Sequence, residues 1–165
     1  MIKLPDAELL LRELTEAIRP HATANTGLVG IHTGGAWIAE RMHRDLKLVV
    51  PLGTLDVSFY RDDFERRGLK PEVKPSAIRF DVDGRDLILV DDVLYTGRTI
   101  RAAMNELFDY GRPASIKLAA LVDRGGRELP IAAQFVGATL QVQSGQNIEL
   151  QRAADGRLSL VLNPG

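Results

Sequence analysis

Short apolar runs bounded by turn residues alternate along this chain with helix-periodic segments, and that alternation predicts an α/β architecture. After Pro5 and Asp6, apolar residues recur at Ala7, Leu10, Leu11, Leu14, Ala17 and Ile18, the spacing of one helix face. Leu28 to Ile31 reads as a buried strand that ends in Thr33-Gly34-Gly35 and passes into a helix carrying Trp37, Ile38, Arg41 and Met42. Lys47 to Leu52 predicts a further strand, and Leu55, Val57 and Phe59 then alternate with polar residues. The charged stretch from Arg61 to Lys74, which contains Gly68 and Pro71, reads as a mobile loop. Ser76 to Val82, Asp83-Gly84 and Asp86 to Val90 predict a hairpin, and Ile116 to Val122 another buried strand. Asn147 to Leu150 and Arg157 to Leu162, around Asp155-Gly156, predict a closing hairpin.

Composition narrows the setting more than the chemistry. A chain of 165 residues with 45% apolar content is expected to fold as one domain, residues 1–165, with a real core. No repeat, low-complexity tract or linker divides it. A formal charge of −1 gives no global attraction to nucleic acid or to an anionic membrane. Cysteine is absent, which excludes a disulfide framework, a cysteine metal site and a thiol nucleophile. The opening residues lack a signal-peptide core and no apolar run approaches a membrane span, so a soluble cytoplasmic protein is expected, with no membrane partner.

The chemistry concentrates between Leu87 and Ile100. Leu87-Ile88-Leu89-Val90 make a short strand, and Asp91 and Asp92 follow at its C-terminal end. Val93, Leu94 and Tyr95 lead into Thr96-Gly97-Arg98-Thr99, which opens a helix with Ile100, Ala103, Met104, Leu107 and Phe108 on one face. Strand, loop and helix in this order form a phosphate site. Backbone N–H groups and the Thr96 and Thr99 hydroxyls can hold a phosphate monoester at the positive end of the helix dipole. Gly97 lets the main chain approach the anion. A Walker loop would need a Lys that is missing here. Carboxylates repel phosphate, so the acid pair points at vicinal sugar hydroxyls or a bound Mg²⁺. Phosphate and diol on one ligand mean a ribose 5-phosphate. The plainer alternative is that the two acids only cap the coming helix.

This stretch resembles the PRPP-binding motif of type I phosphoribosyltransferases, and Val90-Asp91-Asp92-Val93-Leu94-Tyr95-Thr96-Gly97-Arg98-Thr99 is similar to the PyrR family in particular. Three other stretches carry the same likeness: Gly30 to Gly35, Asp56 to Asp63, and Val122 to Ile131. The resemblance implies a type I phosphoribosyltransferase fold, a mostly parallel sheet flanked by helices with a small hood. It implies uracil phosphoribosyltransferase activity, uracil and PRPP giving UMP and pyrophosphate, with regulation of pyrimidine genes. A mainly non-catalytic, nucleotide-sensing regulator that binds leader RNA is the alternative it leaves open.

The resemblance also distributes roles. Asp91 and Asp92 bind the ribose diol and, partly through substrate and water, Mg²⁺. Residues 93 to 99 bind the phosphate and ribose of PRPP or UMP. Thr33, Gly34 and Gly35 form a pyrophosphate loop with unusual peptide geometry, and Arg61, on a flap, neutralises the leaving pyrophosphate. Asp123, Arg124, Gly125 and Arg127 form a hood around the base, with Arg124 or Arg127 reaching phosphate. Tyr95 stands where purine enzymes place an Asp that handles a proton at N7, which favours a pyrimidine. The chain departs from the family at Gly34, where many relatives carry Arg, at Gly126, where they carry His, and at 138–141, where they read Lys-Asn-Ile-Pro. RNA binding would need a local basic patch, for which Arg12, Arg19, His21, Arg66, Arg67, Lys70 and Lys74 are candidates. Family habit implies a homo-oligomer, dimer or tetramer.

Overall fold

The computed structural model describes residues 2–57 and 76–164. Its framework is a parallel sheet of β1 (Thr26–Ile31), β2 (Gly53–Leu55), β3 (Asp86–Leu94), β4 (Ser115–Asp123) and β5 (Phe135–Thr139), in the order β2-β1-β3-β4-β5. Helices α1 (Ala7–Ile18) and α2 (Gly34–Leu46) cover one face, and α3 (Arg98–Tyr110) the other. An antiparallel ribbon of β6 (Gln146–Arg152) and β7 (Leu158–Pro164) packs Ile148, Leu150 and Leu158 into the α1–α2 side. The expected mostly parallel, helix-flanked α/β fold is the one observed.

The sheet is buried on both faces because its strands are apolar without alternation. In β1, Leu28 faces the α1–α2 cluster while Val29 and Ile31 face α3. In β3, Ile88 and Val90 divide from Leu87 and Leu89 in the same way. Each fully buried aliphatic side chain stabilises the fold by about 1.5–3 kcal/mol before the entropy of ordering it is subtracted.

Helix α1 starts as its sequence predicts, with the Asp6 carboxylate accepting from the Glu8 N–H at 2.9 Å. Its predicted stripe is buried at Ala7, Leu10, Leu11, Leu14 and Ile18, whereas Ala17 is exposed. On α3, Ile100, Ala103 and Leu107 are buried and Met104 is partly so, but Phe108 is 57% exposed. Residue 108 lies roughly 100° around the helix from the centre of that stripe, too far to reach the sheet.

Two expected elements take other forms. Lys47 to Leu52 is not a strand: α2 runs to Leu46 and Lys47 closes it in the left-handed region, φ 53°. Its N–H donates to the Arg44 and His43 carbonyls. Pro51 interrupts the following apolar run, and sheet pairing begins only at Gly53, opposite Val29. The hairpin expected over 76–90 is also absent. Residues 76–82 pair only through an isolated antiparallel bridge from Ala77 to Thr54. Strand β3 has no edge left for a hairpin partner, because β1 and β4 occupy both sides in parallel. The Asp83–Gly84 turn is instead fastened to the end of α3, the Gly84 N–H donating to the Arg112 carbonyl and the Arg112 N–H to Asp83 Oδ1. The closing hairpin at the C-terminal end is present as β6 and β7.

Candidate active site

The C-terminal edge of a parallel sheet is where loops converge and where ligands bind in open α/β folds. Strands β1 and β3 are neighbours, with Gly30 opposite Val90, so the loops that follow them leave the sheet side by side. The turn after β1 contains a cis peptide between His32 and Thr33, the unusual geometry expected there. Helix α2 begins immediately afterwards, with the Trp37 N–H donating to the Thr33 carbonyl at 3.2 Å.

This turn rests directly on the acid pair. A Cβ at Gly34 would meet the Asp92 carboxylate, and one at Gly35 would meet the Val90 carbonyl. Asp91 is only 4% exposed, and its Oδ1 accepts from the Asp92 N–H at 2.9 Å. Asp92 Oδ1 in turn accepts from the Val93 N–H at 2.8 Å. Both carboxylates thus accept from the main chain near the C-terminal end of β3, and the N-cap of α3, Gly97, has no side-chain cap.

Beyond them, Leu94 and Thr96 are buried, Val93 is half-buried and Tyr95 is 41% exposed. Gly97 precedes α3 at φ 94°, and a Cβ there would lie 2.9 Å from Ile131 Cγ1. The Thr96 hydroxyl accepts from the Arg98 N–H at 3.2 Å. The first turn of α3, with Thr99 half-buried, presents N–H groups that have no acceptor within the helix. The Arg98 side chain turns outward to Glu128, Nε to Oε1 2.9 Å, with both side chains 53% exposed. Its main chain, rather than its guanidinium, faces the start of α3 through the Thr96 hydroxyl.

The segment after β4 closes over this loop. Glu128 and Leu129 donate their N–H groups to the Thr96 carbonyl at 2.9 and 3.2 Å, and the Arg124 N–H donates to the Leu94 carbonyl. Arg127 is a clamp. It donates to the Tyr95 carbonyl at 2.8 Å, the Ile131 carbonyl at 2.8 Å and Asp123 Oδ2 at 2.6 Å. Burial pushes the Asp123 carboxyl up, but Arg127 and the Gly125 N–H outweigh it and hold the group below its ordinary value. With its donors so occupied, Arg127 shapes the hood. Arg124 also stays within the protein, reaching Asn147 Oδ1 and the Gln146 carbonyl, both at 3.3 Å. Both guanidiniums meet the β3–α3 loop at Tyr95, Arg127 at its carbonyl and Arg124 over its ring.

The structure thus brings together three of the four predicted segments: Thr33 to Gly35, Asp91 to Thr99, and Asp123 to Arg127. Arg61, the fourth, lies outside the described residues. Sequence reasoning passed over Leu129 and Ile131, which with Glu128 hold the Thr96–Gly97 turn, although both stand in the stretch that carried the family likeness. It also passed over Gln146 and Asn147, which nothing local in the sequence marks. A cleft of about 480 Å³ lies elsewhere, between α1, α2 and the β6–β7 ribbon. It is lined by Trp37, Arg41, Arg44, Arg152 and Arg157 among others and shares no residue with these loops. The chemistry of the loops, not cavity size, locates the site.

A parallel sheet with an acid pair near the C-terminal end of its central strand and a glycine turn packed against it is the layout of a phosphoribosyltransferase domain. Residues 3–151 match the family profile described as "Phosphoribosyl transferase domain". Among solved structures, a purine phosphoribosyltransferase from Pyrococcus horikoshii superposes with a TM-score of 0.62 at 25% identity, covering 82% of this chain and 83% of that one. A hypoxanthine phosphoribosyltransferase from Staphylococcus aureus does so with a TM-score of 0.66 at 20% identity, over 86% and 76%. The "Bifunctional protein PyrR" of Pseudomonas aeruginosa strain LESB58 is 53% identical over 154 residues, 90% of each chain. Its namesake in Nitrosococcus oceani is 58% identical over 125 residues, 74% of this chain and 71% of that one. The chain belongs to the PyrR family of phosphoribosyltransferase-domain proteins.

Proposed function

We propose that this protein transfers the 5-phosphoribosyl group from PRPP to N1 of uracil, releasing pyrophosphate and forming UMP. In the same reading it also regulates pyrimidine genes in response to pyrimidine nucleotides, acting on leader RNA. The observation that supports the enzymatic half is the packing of the Gly34–Gly35 turn against the Asp91–Asp92 segment, with the Gly97 turn into α3 following on the same strand-to-helix connection. The regulatory half rests on membership of a family whose relatives are named bifunctional.

The residues divide the work. Main-chain N–H groups of 97–99 and the Thr96 and Thr99 hydroxyls hold the 5-phosphate at the start of α3. Asp91 and Asp92 accept from the ribose hydroxyls and stabilise positive charge developing on the sugar as the glycosidic bond breaks. Thr33 to Gly35 hold the pyrophosphate, with Arg61 as the cation for it. The hood from Asp123 to Arg127 reads the uracil edge through main-chain groups. Tyr95 supplies no acid for a purine N7. No nucleophile on the protein is required, because catalysis is positioning and electrostatics.

Among the described residues, no group of three or more His, Asp or Glu side chains forms a metal cage. Two adjacent carboxylates suit Mg²⁺, which is commonly held by one or two carboxylates together with substrate phosphates. Asp91 and Asp92 would hold it, and when bound it would offset the charge of PRPP. Among the same residues no helix is long and apolar enough to cross a membrane; a cytoplasmic site of action belongs to this reading through its substrates.

The test is pyrophosphate release from PRPP and Mg²⁺ with uracil, guanine and orotate offered in parallel. Release with uracil alone is expected, and release with guanine alone would overturn the choice of base. A salt-sensitive, sequence-selective mobility shift with pyrimidine-operon leader RNA is the expected result for regulation.

A further inference from the structure

Arg124 is placed at the junction of hood, loop and ribbon. Its guanidinium carbon lies 3.9 Å from the centre of the Tyr95 ring. Its terminal nitrogens donate to Asn147 Oδ1 and the Gln146 carbonyl at the start of β6. Its Nε is buried and has no acceptor among the described residues. Leaving a cationic N–H in that state costs stability, and the cost is sustained where the stacked position matters more. Gly126, in the same loop as Arg124, completes the arrangement. It sits at φ 76°, and a Cβ there would come within 2.5 Å of Tyr95 Cε1. The ring is therefore gripped by a guanidinium and a bare glycine, while 41% of the residue stays exposed just ahead of Thr96 and Gly97.

We infer that Arg124 is a positioning residue for base selection: anchored on the β6–β7 ribbon, it holds the Tyr95 ring against Gly126 so that the ring's open side bounds the base. This rests on the uracil-transfer reading. It assigns the C-terminal ribbon a part in recognition, although Asn147 lies 52 positions from Tyr95 in the chain. The base is sensed at Tyr95, while PRPP is held by the turns at 33–35 and 96–99. Loosening Arg124 accordingly acts on one substrate and spares the other.

The test compares wild type with Arg124→Met, Arg124→Lys and Asn147→Ala, measuring KM for uracil and for PRPP separately. Arg124→Met keeps the stem but loses the charge and the forked donors. We expect its KM for uracil to rise about tenfold and that for PRPP to stay within about twofold, with partial recovery in Arg124→Lys. Asn147→Ala shifts uracil in the same direction by a smaller factor. An equal rise for both substrates, or none for uracil, overturns the inference.

Fluorotyrosine labelling gives a readout independent of turnover. The chain has three tyrosines, and the Tyr95 fluorine resonance is assigned by its loss in Tyr95→Phe. That resonance is expected to move in Arg124→Met and Asn147→Ala while Tyr110 stays in place, and an unmoved Tyr95 resonance overturns the inference. Should wild type release no pyrophosphate with uracil, the functional reading fails, and the fluorine spectra still decide whether Arg124 positions the ring. If Arg124→Met does not fold, Asn147→Ala carries both measurements.

Discussion

At the scale of single residues, the site is made by what is missing as much as by what is present. Gly34 has no side chain where the Asp92 carboxylate lies. Gly34→Ala must therefore push Asp92 or the 33–35 turn aside, and it is expected to weaken PRPP binding while leaving the buried core untouched. Asp92→Asn makes the complementary change, keeping shape while removing a charge-assisted acceptor. It should cost about 1.5–3 kcal/mol of ligand or transition-state binding, or roughly 10- to 150-fold in kcat/KM. Titration of PRPP and UMP by calorimetry, alongside turnover, checks both variants. Wild-type turnover in Asp92→Asn would return the acids to a structural role. Any side chain at position 34 would have to move Asp92 on this backbone, so the bare turn and the present pose of the acid go together.

At the scale of elements, the loop from β3 to α3 depends on a conformation that only glycine adopts cheaply. Gly97→Ala places a Cβ at φ 94° and 2.9 Å from Ile131 Cγ1. It is expected to cost about 1–3 kcal/mol of stability, seen as a lower urea midpoint at unchanged slope, and to weaken UMP binding as well. This loop was the most legible part of the chain, because its apolar strand, acids, glycine and amphipathic helix all agree in register. The pairing of strands was less so. Residues 76–90 carry the local pattern of a hairpin, but β3 is the central strand of a parallel sheet and its edges are spoken for. Local sequence does not record which distant strands will compete for an edge. The run from Lys47 misled for a related reason: apolar content alone does not distinguish a strand from a helix exit that packs on the core. Strand β5 went unpredicted because Phe135-Val136-Gly137-Ala138-Thr139 is short and weak in pattern. Its partner is β4, and Gly137 is needed because a Cβ there would meet the Leu121 carbonyl. In the segment after β4, the acceptors of Arg124 and Arg127 were not legible, since they depend on how three segments fold together.

At the scale of the whole molecule, one carboxylate ties the first helix, the second helix and the terminal ribbon. Glu8 on α1 accepts from Arg41 on α2 through both oxygens, at 2.7 and 3.2 Å, and its Oε2 also accepts from the Leu158 N–H on β7 at 2.9 Å. The pair is mostly buried, with 18% of the Glu8 side chain and 31% of the Arg41 side chain exposed. Hydrogen bonding to Arg41 outweighs burial and, with the Leu158 N–H, brings the Glu8 carboxyl from its ordinary 4.5 down to about 2. The folded state thus binds this proton more weakly than the unfolded chain does. The stabilisation is complete above about pH 4.5 and is lost as pH falls from there through about 2. Glu8→Gln should therefore lower stability by about 2 kcal/mol near neutrality, less than half of which remains near pH 3. Urea unfolding of wild type and variant at several pH values reads the difference directly. A gap between the two proteins that stays constant down to pH 3 would show that Glu8 acts by shape and not by charge. Because the same clamp fixes the ribbon that anchors Arg124, its release at low pH should raise the KM for uracil before it unfolds the sheet, and Glu8→Gln should show that rise already at neutral pH.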